Sequence, residues 1–368
     1  MIGERLRRAA GRNHALTTRY SQELRLWRSR PAQAGLVALV AIYALAPLYL
    51  TDFWLSVLTY AGISAIGAIG LNLLTGYTGQ VSLGHATFLG AGAYAAGYFG
   101  GDLGLPLPLW LVLAAVAGGL LGAVVGPFAL RLRGNYLVII TLGLVFVGEH
   151  VFQNWDGLTG GGSGRNIEAP VSLGFVDFDA ISGYTREQSW FWLVWAVVAL
   201  CALLAKNIVR TRPGRAMQAI RDRDVAAELI GVSLARYKIG AFVISSALAG
   251  VAGGLFGAYQ QFVNPTDWNL LLSIQYIAII IVGGLGTIFG AVLGALFVGS
   301  LPRLIEEYSD SIPGVATGAG DDGFITVFAL NQAIFGLLIV LFLVLEPRGL
   351  AAIWLRLKAY FKGWPFSY

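Results

Sequence analysis

The sequence predicts an all-α protein that crosses a bilayer many times, and three observations carry that prediction. The first is composition: of 368 residues, 57% are hydrophobic and only 12% charged, with a mean hydropathy of +0.70, whereas soluble chains carry about 25% charge. The second is arrangement: apolar runs of about 20 residues recur, the length that spans a ~30 Å hydrocarbon core as a helix. The third is placement: the 25 basic and 20 acidic residues gather between those runs. An ordinary cytosolic enzyme is excluded. So are disulfide frameworks and Cys-based metal sites, because Cys201 is the only cysteine.

Taken in order, the apolar runs place spans near 35–50, 53–75, 81–99, 107–128, 135–152, 190–208, 239–260, 270–283, 286–300 and 324–345. Residues 270–300 form one apolar stretch interrupted by Gly283-Gly284-Leu285-Gly286. As a single helix it would be ~46 Å long, so the glycines divide it. The expected organisation is an Arg-rich arm at 1–34, a transmembrane domain at 35–345 and a tail at 346–368. The domain has an outer loop at 153–189 and a cytoplasmic segment at 209–238. The arm is too long and too charged for a secretory signal, and its arginines suit an amphipathic helix on anionic lipid.

Charge placement tests the count of ten, because cytoplasmic loops carry an excess of Lys and Arg. With the N-terminus inside, the inner segments hold eight basic residues before the first span, Arg131 and Arg133, eight in 206–238, and four from Arg348 to Lys362. Only Arg165, Arg186 and Arg303 fall outside. Thirteen of the 20 acids fall outside as well, six fall inside, and Glu149 lies within a span. Both termini are therefore expected in the cytoplasm. The basic residues flank membrane segments and form no nucleic-acid patch.

Glycine contributes 49 residues, about double the ordinary share. Runs spaced by four, such as Gly118/Gly122/Gly126, Gly250/Gly254 and Gly286/Gly290/Gly294, let helix backbones approach closely. Two segments combine glycine with polar side chains: Asn72-Leu-Leu-Thr75-Gly76-Tyr77-Thr78-Gly79-Gln80-Val-Ser82-Leu-Gly84-His85, and Gly283-Gly284-Leu-Gly286-Thr287-Ile-Phe-Gly290. They read either as tight cytoplasmic turns or as broken helices beside a transport path.

No energy source is encoded. None of Lys206, Lys238, Lys358 and Lys362 sits in a phosphate-binding P-loop, and Glu149, His150 and His85 make a thin proton relay. No cluster of His, Asp or Glu has metal-ligand spacing, and no nucleophile–base pair stands out. Between two spans, Arg212-Pro213-Gly214-Arg215 leads into Ala216 through Gly231, which reads as a short cytoplasmic helix stopped at Gly231. Its alternating Arg221, Asp222, Arg223 and Asp224 suit a soluble partner better than a lipid surface.

Five ordered motifs resemble a known family. They are Gly70-Leu-Asn72-Leu-Leu-Thr75-Gly76-Tyr77-Thr-Gly79-Gln80-Val-Ser82-Leu-Gly84-His85, Arg131-Leu-Arg133-Gly134-Asn135-Tyr136 with Thr141-Leu142, Leu158-Thr159-Gly160-Gly161 with Gly164, Gly214-Arg215-Ala216 with Ala219-Ile220-Arg221-Asp222, and Gly283-Gly284-Leu-Gly286-Thr287 with Gly290. The family is the permease subunits of branched-chain amino-acid ABC importers, in particular the LivM type. The resemblance covers nearly everything from residue 60 to 350. It implies the ABC importer permease fold, a bacterial inner-membrane location and no enzymatic activity of the chain's own. The implied partners are a second, LivH-like permease, two ABC ATPases that hold the ATP and Mg, and a soluble extracytoplasmic amino-acid-binding protein. The chain itself would bind no cofactor.

In ABC permeases generally, a cytoplasmic helix with an E-A-A-x-x-x-G pattern sits in a cleft of the ATPase. Val225-Ala226-Ala227-Glu228-Leu-Ile-Gly231 is similar, with Val in place of the first Glu. The expected coupling residues are Arg221, Asp222, Asp224, Ala227, Glu228 and Gly231. The expected path residues are Asn72, Thr75, Gln80, Ser82, His85, Thr141 and Glu149, polar positions on apolar segments. Arg165, Arg186 and Arg303 are candidates for docking the binding protein. Two alternatives stay open: an ABC permease for urea, amides or aromatic acids, and a stand-alone secondary carrier or channel.

Overall fold

The computed structural model describes residues 30–131, 135–172, 178, 183–309, 315–316, 325–346 and 349–363. Two compact units result, Met1–Leu50 and Thr51–Tyr368. The described part of the first is one helix, α1 (Arg30–Tyr49), with Pro47 in its last turn. The second unit is helical, with α2 (Asp52–Thr78), α3 (His85–Ala96), α4 (Leu107–Arg131), α5 (Asn135–Asn154) and α6 (Arg186–Arg210) in its first half. Then follow α7 (Arg212–Asp222), α8 (Asp224–Leu229), α9 (Leu234–Gln260), α10 (Leu270–Gly283), α11 (Ile288–Val298), α12 (Leu301–Tyr308), α13 (Val327–Leu345) and α14 (Gly349–Gly363).

The protein is thus an all-α, polytopic membrane protein, and every segment expected to span carries a helix. Among the described residues, seven stretches are long and apolar enough to cross a bilayer: 52–78, 107–128, 136–154, 186–210, 234–260, 265–283 and 288–308. The other three are shorter. Val37–Tyr49 and Val327–Phe342 are apolar, and α3 has twelve residues, or ~18 Å of helix. A π-helical turn, Gly97–Asp102, prolongs α3. The 81–99 span was placed too early, because residues 79–84 form the turn between α2 and α3. The glycine break in 270–300 falls as expected, with Gly284 and Gly286 both at positive φ between α10 and α11.

Helix α2 lies at the centre, buried along nearly its whole length, and packs on α9, α6, α10 and α11. Helix α9 in turn packs on α4 and α3. These contacts are backbone-close. A Cβ at Gly253 would stand 1.8 Å from the carbonyl oxygen of Leu89, one at Gly92 2.0 Å from that of Gly250, and one at Gly118 2.3 Å from that of Ser246. Lipid tails are as apolar as leucine, so burying a large side chain between helices gains little and close van der Waals packing carries the association.

Two features depart from the expected pattern. The segment expected in the cytoplasm is two helices, since Arg223 is extended (φ −159°) and interrupts the expected single helix. Asp224 then opens α8, where a carboxylate faces the positive end of the helix. The loop expected outside is pinned to the bundle: β1 (Arg165–Asn166) pairs antiparallel with β2 (Phe262–Val263) after α9. The Trp110 indole N–H also donates to the carbonyl oxygen of Pro170 at 3.0 Å.

Gly253→Val is expected to destabilise the chain by about 1–3 kcal/mol or more through overpacking. Gly143→Ala, with nothing near the added methyl inside α5, is expected to keep stability or raise it by up to about 1 kcal/mol. Thermal unfolding of the two purified variants checks both.

Candidate functional site

At one end of the bundle the two glycine–polar segments meet, although more than 200 residues separate them. The Asn72 side chain, 1% exposed on α2, donates from Nδ2 to the carbonyl oxygen of Thr287 at 2.7 Å. Its Oδ1 accepts the N–H of Gly286 at 2.9 Å. One amide thus closes both sides of a clasp on the α10–α11 turn. Gly76 fits beneath it, since a Cβ there would stand 2.0 Å from Asn72 Oδ1 and 2.4 Å from the nitrogen of Gly286. The last turn of α2 closes at Gly79 (φ +71°), whose N–H and that of Gln80 return to Thr75 and Leu74.

Arg221 of α7 enters the same junction. Its Nη1 donates to the carbonyl oxygen of Gly76 at 2.9 Å, and its guanidinium would touch a Cβ placed on Gly286. A cation on the last carbonyls of a helix is favourably placed. Asp222 pairs with the other edge of Arg221 at 3.3 Å. Asp224 Oδ2 lies 3.7 Å from Lys238 Nζ, which ties α8 to α9. Ala227 points inward, at 2% exposure. Glu228 faces outward, and Gly231 takes φ +87° with open space around it. Val225, Leu229 and Ile230 are 56%, 84% and 78% exposed. These apolar side chains stand on an otherwise charged segment.

The expected path residues sit mostly around this junction, and most of them fasten backbone, although Gln80 Oε1 is buried with no hydrogen-bond partner among the described residues. Thr75 Oγ1 donates to the carbonyl oxygen of Gln80 at 3.1 Å. Gln80 Nε2 donates to Thr78 Oγ1 at 2.9 Å. Ser82 Oγ accepts the N–H of Gly84, and Thr141 Oγ1 accepts the N–H of Leu83 at 3.0 Å. His85 Nε2 lies 3.0 Å from the carbonyl oxygen of Gly67, with Tyr276 against its ring. Glu149 stands apart on α5, accepting from Gln153 one turn on.

The three arginines expected outside lie at the opposite end of the bundle. Arg165 is 14% exposed and pairs with Asp102, and its Nη1 donates to the carbonyl oxygen of Leu158 at 2.6 Å. It holds the loop. Arg186 donates to the carbonyl oxygen of Tyr259 at 2.7 Å and lies over the rings of Trp190 and Tyr259. Arg303 lies over Tyr60, 5.4 Å from the ring centroid, and its Nη1 donates to Glu306 at 3.0 Å. Of the three, only Arg303 borders a cavity of about 330 Å³ between α2, α3, α9, α10 and α12. None of the expected path residues lines that cavity. Sequence reasoning missed Tyr60, Gln260 and Asp267 there. The polar Tyr60/Ser64 pair, one turn apart on an apolar span, was the available signal.

The family described as "Branched-chain amino acid transport system / permease component" matches residues 53–343. The LivM permease protein of the high-affinity branched-chain amino acid transport system of Salmonella typhimurium is 30% identical over 86% of this chain and 74% of its own length. The LivH permease protein of the same kind of system in Escherichia coli is 27% identical over 71% and 87%. The autoinducer 2 import system permease protein LsrC of an Enterobacter strain is 28% identical over 77% and 74%. No solved structure matches the chain. The chain belongs to the branched-chain amino acid permease family.

Asn72→Leu removes both halves of the clasp and strands the partly buried N–H of Gly286. A loss of about 1–3 kcal/mol is expected, read as a lowered thermal midpoint of the purified protein.

Proposed function

We propose that this member of the branched-chain amino acid permease family is the membrane subunit of an ATP-driven importer for branched-chain or related amino acids. It works beside a second, LivH-like permease chain and takes its stroke from ATPase subunits that hold the ATP and Mg. Outside, a soluble binding protein delivers the solute. The chain sits in the bacterial inner membrane with both termini in the cytoplasm.

The observation that carries this reading is the exposed apolar edge of α8. Val225, Leu229 and Ile230 stand in solvent while Ala227 is anchored inward and Arg221 reaches the end of α2. A surface helix that ties Asp224 to Lys238 and leaves its largest apolar side chains uncovered is built for a protein partner. Burial of each is worth about 1.5–3 kcal/mol. A partner pulling on α7–α8 acts on α2 through the Arg221–Gly76 bond and on α9 through Asp224–Lys238. The two packings of the bundle that face opposite sides of the membrane then exchange stability as the ATPases close and open.

Leu229→Asp with Ile230→Asp is expected to lower ATP-driven leucine uptake at least tenfold in vesicles holding the assembled transporter, with the chain still in the membrane and its ATPases released. Arg221→Ala is expected to leave the ATPases attached and slow uptake, because attachment rests on α8 and transmission on Gly76. Uptake driven by an ion gradient in vesicles of this chain alone would overturn the proposal in favour of a stand-alone carrier.

A further inference from the structure

The cavity at the other end of the bundle has a charged lip and an apolar floor. Arg303, Glu306 and Asp267 contribute both signs at the lip, while Ile63, Leu89 and Trp268 line it from deeper positions where they are buried to 2% or less. These charges stand at the ends of two apolar stretches, 265–283 and 288–308, where the cavity opens from the bundle. Arg303 is held in place by the Tyr60 ring and one bond to Glu306. Tyr60 is itself fixed by donating to Gln260 Oε1. A guanidinium carries five N–H donors in a rigid fork that matches a carboxylate. Asp267 is oriented as well, because its Oδ2 accepts the N–H of Asn264 at 2.8 Å.

We propose that this cavity is a reading site for a zwitterionic α-amino acid with an aliphatic side chain. Arg303 takes the carboxylate, Asp267 and Glu306 take the ammonium, and the Ile63–Leu89–Trp268 floor takes the side chain. The α-carbon of such a solute bears both charges together, so a lip of mixed sign above an apolar floor matches it end for end. An aliphatic acid or amine would satisfy one sign of the lip and leave the other facing it unpaired. At about 330 Å³ the cavity is at the small end of ligand sites, as a single amino acid requires. The assignment rests on the permease reading above, and it moves Arg303 from docking a binding protein to holding the solute.

The test is direct binding to the full transporter complex purified without its soluble binding protein, read by saturation-transfer NMR with leucine, 4-methylpentanoate, isopentylamine and urea as probes. Leucine is expected to bind through its methyl groups, with each single-charge analogue at least ~10-fold weaker. Arg303→Gln and Asp267→Asn are each expected to weaken leucine by ~10-fold or more. If Arg303→Gln does not assemble, Arg303→Lys, which keeps charge but loses the fork, is expected to restore part of the affinity. Leucine binding unchanged in the variants, or displaced by urea at equal concentration, overturns the assignment. ATP-driven uptake by the same preparation reports separately on the permease reading: binding without uptake counts against that reading, and uptake with unaltered variants counts against this site.

Discussion

Backbone-to-backbone approach holds this bundle together. In a bilayer an apolar side chain is as well solvated by lipid as by its neighbours, so helices adhere where their surfaces come closest and where polar groups find partners. Gly92, Gly118, Gly250 and Gly253 permit the first along the α3–α4–α9 seam. Asn72 supplies the second, a single buried amide satisfied on both sides by the α10–α11 turn. Because Gly76 has no room for a side chain beneath that amide, the clasp and the helix end are one object. The remaining polar residues of the segment, from Thr75 to His85, secure the turn that follows.

That arrangement joins the two ends of the molecule. Helix α2 contributes Tyr60, Ile63 and Ser64 to the cavity and Gly76 to the Arg221 contact, about 24 Å apart along a continuous helix. Helix α10 contributes Leu272, Gln275 and Tyr276 to the same cavity and runs into the clasped turn at Gly284–Gly286. Two walls of the cavity therefore end at the place where α7 is attached. Along α2 no loop lies between the Arg221 contact and the cavity.

The sequence made the elements and both glycine–polar segments legible for a physical reason: polar side chains and glycine clusters inside apolar runs are costly there, so each one marks a break, a turn or a contact. Asn72, Gly76, Gly286 and Arg221 were all singled out this way, each within its own stretch of chain. Their meeting was not legible, because hydrogen bonds across more than 200 residues leave no periodic trace. The orientation of α8 was only half legible. Alternating charges identified a surface segment, yet they did not mark the break at Arg223 that ends α7, nor that Leu229 and Ile230 stand uncovered while Ala227 is buried. The cavity escaped for a related reason: Tyr60, Asp267 and Arg303 come from three separate elements, and each alone reads as an ordinary interfacial or loop residue.

Most of the polar residues that look like a path in the sequence also bond backbone in the fold, while Gln80 keeps a buried Oε1 with no partner among the described residues. Thr75, Ser82 and Thr141 each satisfy a backbone group with their hydroxyl, and a group so employed has little left to offer a passing solute. Arg303 differs: one of its five N–H groups serves Glu306, and its flat face rests on Tyr60. The distinction is one of surplus capacity. In a membrane, a polar side chain with every bond filled is structure, and one with bonds to spare beside a cavity has the chemistry of a site.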